Sequence, residues 1–173
     1  MWTRISRILK HRWQSDDAAQ RAIPPELLNR LTAQVMHSEA GHSGEIRIYV
    51  EAGLPLSYLW RPASMAHITR ERALALFGKL RVWDTAQNNG VLIYLLLAEH
   101  RIEIVADRGL NDRVTSDTWP NLVKGMSAAF KTGAYEAGLT QAVQHVTALL
   151  QQHFALKNGQ SNPNELPDTP VLN

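Results

Sequence analysis

Residues 81–112 read RVWDTAQNNGVLIYLLLAEHRIEIVADRGLND and contain the pattern that decides the fold. Their centre, residues 91–98, is the longest unbroken apolar run of the chain, which has the length of a strand and is too short to cross a bilayer. A run that is apolar on both faces predicts a central strand covered on both sides. Residues 102–106 follow a short polar turn and have the composition of a second strand, so we predict an antiparallel hairpin.

The segments around this hairpin predict a mixed sheet. Residues 43–51 alternate apolar and polar side chains and therefore predict another strand. A helical apolar stripe lies between that strand and the hairpin, and a strand–helix–strand unit is nearly always parallel and right-handed. Further helices are predicted after Pro25, after Thr115 and from Tyr135. The predicted fold class is α/β: a three-layer sandwich with a small mixed β-sheet (a parallel βαβ unit plus the antiparallel hairpin) and helices on both faces.

Composition divides the chain into one domain and two end segments. With 173 residues and 45% hydrophobic content, the chain can bury one core. We predict an amphipathic segment and linker over residues 1–22, separable from a domain over residues 23–156. Residues 157–173 are rich in Asn, Pro, Gly and Asp, which predicts a disordered tail.

Charge and composition exclude several function classes. A net charge of +2 with no basic stripe beyond the first residues predicts no nucleic-acid partner. Cysteine is absent, so disulfides and cysteine-bound metals are excluded, and the seven histidines show no zinc-binding spacing. The chain has no apolar run long enough to span a bilayer and no secretory h-region, so we expect a cytoplasmic protein, with peripheral membrane attachment as an open alternative.

Two segments are candidates for contact with a partner. Residues 1–14 combine basic residues with apolar ones at helical spacing, which favours either a helix on an anionic membrane surface or a helix packed on its own domain. Residues 53–62 contain two prolines and predict a loop whose apolar side chains cover local core or face a protein partner. The candidate partner-binding residues are Trp2, Trp13, Leu56, Tyr58 and Trp60.

The predicted topology brings three polar loops to one end of the sheet. The two parallel strands begin at this end, and the antiparallel strand finishes there. Carboxylate and amide oxygens favour hard cations such as Ca²⁺ or Mg²⁺, whereas the alternative interpretation is ordinary turn chemistry. The candidate metal ligands are Glu45, Asp84, Asn88, Asn89, Asp107, Asn111 and Asp112.

The succession NNGVLIYLLL, IEIVADRGL and AAFKTGAYEAGLTQAV resembles the TPM-domain family, whose name is tied to phosphatase activity, over residues 25–150. The family motif Phe-x-x-Gly-x-Tyr-x-x-Gly is matched by Phe130, Gly133, Tyr135 and Gly138. The resemblance implies a metal-associated or catalytic acidic cluster at the loops just described. It also implies a membrane-associated protein partner of the LemA type.

Two positions differ from the usual family pattern. Asn88 stands where the family has Asp, and Asn111 stands where it has Glu. An amide brings no negative charge and cannot act as a base. The sequence therefore favours a non-catalytic TPM-like interaction module near the bacterial membrane. The alternative is a metal-dependent phosphatase-like hydrolase in which a carboxylate such as Asp84 or Asp107 positions water or acts as nucleophile.

Overall fold

The structure is a computed structural model that describes residues 2–15, 17–157 and 159–173, with side chains from residue 5 onward. The four strands are β1 (Ile46–Glu51), β2 (Val91–Leu96), β3 (Arg101–Ala106) and β4 (Val171–Leu172). The helices are α1 (Trp2–Arg12), α2 (Ala18–Ala22), α3 (Pro25–Glu39), α4 (Leu56–Leu59), α5 (Met65–Lys79), α6 (Arg108–Asn111), α7 (Thr118–Lys131) and α8 (Tyr135–Phe154). No helix within these described ranges is long and apolar enough to cross a membrane.

The sheet is mixed, in the order β3-β2-β1-β4. Strand β2 pairs in parallel with β1, with Val91 opposite Ile46, and antiparallel with β3, with Val91 opposite Ala106. A single helix-containing connection separates β1 from β2, whereas β2 and β3 are joined by a 3-10 turn that ends at His100 in the left-handed conformation. The predicted α/β class and mixed sheet are confirmed, with β2 in the interior.

Helices cover both faces of the sheet. Alternate β2 side chains pack into different clusters, with Ile93 and Leu95 facing α3, α7 and α8, and Leu92 and Tyr94 facing α4 and α5. Each fully buried aliphatic side chain contributes roughly 1.5–3 kcal/mol to stability. This double burial explains why β2 is apolar at every position and confirms the three-layer arrangement.

The C-terminal segment differs from the predicted disordered tail. Strand β4 pairs in parallel with β1, and the side chain of Leu166 is buried. The fully buried carboxylate of Glu45 accepts hydrogen bonds from the side chain of Asn162 and the backbone N–H of Leu166. These attachments use backbone pairing and a buried acid, so the low apolar content of the segment did not indicate them.

Residues near the N-terminus also pack against the domain, in contrast to the separable segment that the sequence predicted. Arg7 and His11 form hydrogen bonds with the chain around α4, and His11 is buried. Ala18 and Ala19 of α2 are buried where a polar linker was expected. The expected loop at residues 53–62 contains α4, whose first turn follows Pro55. Proline suits this position because the N–H that it lacks has no partner at a helix start.

Candidate functional site

The loops at the starts of β1 and β2 and at the end of β3 meet as the topology predicts. We call this region the loop end and define it as residues 42–45, 84–90 and 107–112. The N–H of Asp107 donates to the carbonyl oxygen of Gly90 at 2.9 Å, and the N–H of Gly109 donates to that of Asn88 at 2.8 Å. The side-chain amide of Asn89 reaches Ser43 Oγ at 3.2 Å. The loop end is therefore a hydrogen-bonded unit and not a set of separate turns.

Two glycines allow these backbones to approach each other. A Cβ atom added at Gly90 would lie 1.9 Å from the carbonyl oxygen of Val82. A Cβ atom added at Gly109 would lie 2.5 Å from the carbonyl oxygen of Asn88. Real Cβ atoms do not tolerate either distance, so both positions require glycine for reasons of packing.

Asn88 and Arg108 form the centre of the loop end. Asn88 has a φ of 52°, the left-handed conformation that asparagine tolerates better than most residues. Its Oδ1 accepts a hydrogen bond from Arg108 Nη2 at 3.1 Å. Asp107 caps α6, with its Oδ1 accepting from the N–H of Arg108 at 2.7 Å. One exposed guanidinium thus bonds to a side-chain oxygen that was among the predicted cation ligands.

Asn111 links the end of β3 to α7 through hydrogen bonds. Its Nδ2 donates to the carbonyl oxygen of Ala106 at 2.7 Å. Its Oδ1 accepts from Trp119 Nε1 at 2.8 Å. Both ends of the amide are therefore engaged within the protein.

The seven predicted ligands do not converge on one point. Glu45 is fully buried and faces the C-terminal segment, and burial raises the pKa of its carboxyl group. Asp84 is exposed and pairs with Arg81 at 2.6 Å, and Asp112 is exposed. Over the ranges that the structure describes, no three His, Cys, Asp or Glu side chains form a metal-binding group.

Two oxygens at the loop end remain without a hydrogen-bond partner among the described residues. Asp107 Oδ2 and Asn89 Oδ1 are both buried and unpaired. A buried unpaired polar atom costs roughly 1–3 kcal/mol. These two atoms are the part of the predicted ligand set that suits a cation, but they supply a single formal charge.

A buried polar network beside the loop end was missed by sequence reasoning. His42 Nδ1 donates to the carbonyl oxygen of Gly44 at 3.0 Å, and its Nε2 accepts from Ser38 Oγ at 2.8 Å. Burial lowers the pKa of His42 to about 4, so the ring is neutral. Glu39 accepts from the N–H of Ile46, and burial raises its pKa to about 9. The sequence placed Glu39 at the end of a partly apolar helix and His42 before a strand, and neither position indicates that the side chain is buried.

The predicted partner-binding residues fall into two groups. Trp13, Trp60 and Leu56 are 85%, 60% and 46% exposed, so all three are accessible to a partner. Tyr58 is half-buried, with the guanidinium of Arg61 4.1 Å above its ring. The side chain of Trp2 lies outside the described residues.

Comparison with known proteins agrees with the fold. A TPM-domain family model matches residues 16–149. The NMR structure of the BA42 protein from the psychrophilic bacterium Bizionia argentinensis has a similar fold, with a TM-score of 0.71 and 26% sequence identity, covering 86% of this chain and 94% of that one. No curated protein matches the chain. The chain belongs to the TPM-domain family.

Proposed function

We propose that this TPM domain is a non-catalytic binding module. The observation that carries the proposal is the hydrogen bond from Arg108 to Asn88 at the centre of the loop end. A guanidinium repels a divalent cation and competes with it for the same oxygens. The side-chain oxygen of Asn88 is thus engaged by a permanent positive charge that belongs to the protein.

Asn88 and Asn111, the two amides that replace family carboxylates, also favour a non-catalytic module. The two ends of the Asn111 side-chain amide bond to β3 and α7, so this residue serves the structure and is not free to bind a cation. Asp84 is turned toward Arg81 at the surface. Asp107 is then the single carboxylate at the centre with an unpaired oxygen among the described residues. One carboxylate cannot both hold a divalent cation and serve as base or nucleophile.

A metal-dependent phosphatase-like hydrolase is the second candidate. It is favoured by the buried, unpaired oxygens of Asp107 and Asn89, which are suitable ligands for Ca²⁺ or Mg²⁺. A cation there would orient and polarise a phosphate group. These two oxygens do not provide the several carboxylates that such a cation usually requires.

Thermal melting with cations distinguishes the two candidates, because a ligand that binds only the folded state raises the melting temperature with concentration. We expect the wild type to bind Ca²⁺, Mg²⁺ and Mn²⁺ no more tightly than about millimolar. We also expect no turnover of aryl phosphates. The variant Asn88→Asp with Arg108→Gln adds one negative charge and removes one positive charge, so it should bind Ca²⁺ more tightly.

The matched controls are Asp107→Asn at the centre and Asp84→Asn at the surface. Tight cation binding and metal-dependent turnover in the wild type, lost in Asp107→Asn and retained in Asp84→Asn, would establish the hydrolase in place of the binding module.

A further inference from the structure

Helix α1 is attached to the domain through its polar side. The guanidinium of Arg7 donates hydrogen bonds at 3.2–3.4 Å to three carbonyl oxygens, those of Leu59, Arg61 and Ala63. These carbonyls lie at and after the end of α4, where helix carbonyl oxygens lack intrahelical partners. One arginine therefore joins α1 to α4.

The next turn of α1 repeats this mode of attachment. Lys10 Nζ and His11 Nε2 each lie 3.1 Å from Glu99 Oε1. His11 Nδ1 accepts from the N–H of Leu54 at 3.0 Å, so Nε2 carries the proton and donates. Burial raises the pKa of Glu99, but the hydrogen bonds from His11 and Lys10 outweigh burial and keep the pKa below its usual value. The carboxylate is thus charged and paired.

The apolar side of α1 faces away from the domain. Ile5, Leu9 and Trp13 are 49%, 55% and 85% exposed, and we call these three residues the outer stripe. Residues four apart lie on one face of a helix. An amphipathic helix of a globular domain normally buries such a stripe and exposes its charges. Helix α1 instead exposes its apolar stripe, apart from the partly buried Ile8. Of its basic side chains that the structure describes, it turns only Arg7 and His11 toward the domain, while Lys10 and Arg12 remain exposed.

Charge is also distributed unevenly between α1 and the rest of the chain. Residues 1–14 contain four Arg or Lys residues and no Asp or Glu. The whole chain has 18 basic and 16 acidic residues, so the remainder has 18 − 4 = 14 basic and 16 acidic residues and a net charge of −2. Arg12 is exposed and lies beside the outer stripe on the helix surface. Two copies of this segment would repel each other, which disfavours a dimer through α1.

We propose that α1 docks this domain on an anionic lipid bilayer, with the outer stripe in the headgroup boundary and the exposed Arg12 against lipid phosphates. The inference names the partner of the binding module and so rests on the proposed function. Tryptophan prefers this boundary because its ring is apolar and its N–H can reach water. Each Lys or Arg near an anionic surface strengthens attachment by about fivefold.

Vesicle sedimentation of the full chain tests the proposal. We expect at least about tenfold tighter binding to phosphatidylcholine vesicles containing phosphatidylglycerol than to phosphatidylcholine alone, and weaker binding at high salt. The double variant Leu9→Ser/Trp13→Ser should bind at least about tenfold less, and Arg12→Gln about fivefold less. Trp83→Ser is the matched control, because Trp83 is 48% exposed and lies before β2, so its removal should leave vesicle binding unchanged.

Three results would overturn the proposal: no binding to the anionic vesicles, equal binding to neutral ones, or unchanged binding by the double variant. Binding to soluble polyglutamate as tight as to vesicles would also overturn it, in favour of an acidic protein surface. Unchanged melting of the double variant confirms that it folds. If the chain neither binds vesicles nor turns over aryl phosphates, the lipid proposal is rejected but the binding module is not. If the chain binds vesicles and also turns over aryl phosphates, only the non-catalytic function is rejected.

Discussion

The loop end and α1 differ in what the fold leaves unsatisfied. At the loop end, Arg108 donates a hydrogen bond to Asn88, and Asn111 bonds to β3 and α7. Two buried oxygens there remain unpaired among the described residues. In α1, Arg7 and His11 are engaged by the domain while an apolar stripe is exposed. Internal hydrogen bonds thus engage most polar groups of the loop end, whereas the outer stripe of α1 is exposed to solvent.

The contacts of the loop end stabilise the fold, whereas the outer stripe of α1 is a surface that a partner could contact. Hydrogen bonds at the loop end hold its three loops together. Exposed apolar groups on α1 have no such use within the domain. Substitutions should therefore act mainly on stability at the loop end and mainly on binding at α1.

The largest expected effect is at Gly90. Gly90→Ala should lower the free energy of unfolding by about 3 kcal/mol or more, because the new Cβ would meet the carbonyl oxygen of Val82. Gly125→Ala in α7 is the matched control, since nothing lies within 4 Å of its added Cβ. The control should be neutral or stabilising by up to about 1 kcal/mol. Urea unfolding measures both, and a harmless Gly90→Ala would show that the loop end is looser than the structure indicates.

Glu39, at the end of α3 beside the loop end, makes stability depend on pH. Its pKa is about 9 in the folded protein against an ordinary 4.5, so its stabilising contribution is complete below pH 4.5 and is lost as pH rises through 9. His42 adds no slope above pH 6.5, because its folded pKa is lowered to about 4. The melting temperature should fall by several degrees between pH 6.5 and 9. Glu39→Gln mimics the protonated acid and should flatten this fall, and an equal fall in the variant would contradict the assignment.

Asn111 distinguishes a structural role from a ligand role. Asn111→Ala removes the exposed hydrogen bond to Trp119 Nε1 and the part-buried one to the carbonyl oxygen of Ala106, so we expect a loss of about 0.5–1.5 kcal/mol. Cation affinity should not change. Asp112→Ala is the neighbouring control, with an exposed side chain and an expected change within about 0.5 kcal/mol. Weakened cation binding in Asn111→Ala at unchanged stability would support the ligand role.

The smallest effect is expected on the outer stripe. Leu9→Ser should change stability by less than about 0.5 kcal/mol, because Leu9 is 55% exposed. Ile8→Ser, one residue earlier, should cost more, because Ile8 packs against the cluster around α4 and α5. Thermal melting compares them. Equal losses would indicate that the outer stripe is buried in the domain after all.

Much of the fold could be predicted because it follows from local pattern. The apolar run of β2, the alternation in β1 and the handedness of the crossover were sufficient to predict the mixed sheet and the meeting of the loops. The attachment of α1 could not be predicted, since Arg7 bonds to backbone oxygens that are 52–56 positions away and leave no periodic signal. Strand β4 was missed for the same reason, because its pairing with β1 depends on backbone groups.

The candidate site was predicted in location but not in detail. Hairpin topology places Asn88, Asp107 and Asn111 at one end of the sheet, as observed. Whether each oxygen faces a cation, a guanidinium or an indole N–H depends on side-chain directions that the sequence does not encode locally. The indole N–H of Trp119 donates to Asn111 Oδ1, and the guanidinium of Arg108 donates to Asn88 Oδ1.

Hydrogen–deuterium exchange of the full chain tests the central claim most directly, because it monitors both regions in one experiment. We predict that phosphatidylglycerol-containing vesicles slow exchange in residues 2–12 and that Ca²⁺, Mg²⁺ or Mn²⁺ leaves exchange in residues 84–112 unchanged. Protection of residues 84–112 by a cation, with no protection of residues 2–12 by vesicles, would contradict the account and identify the loop end as the functional site.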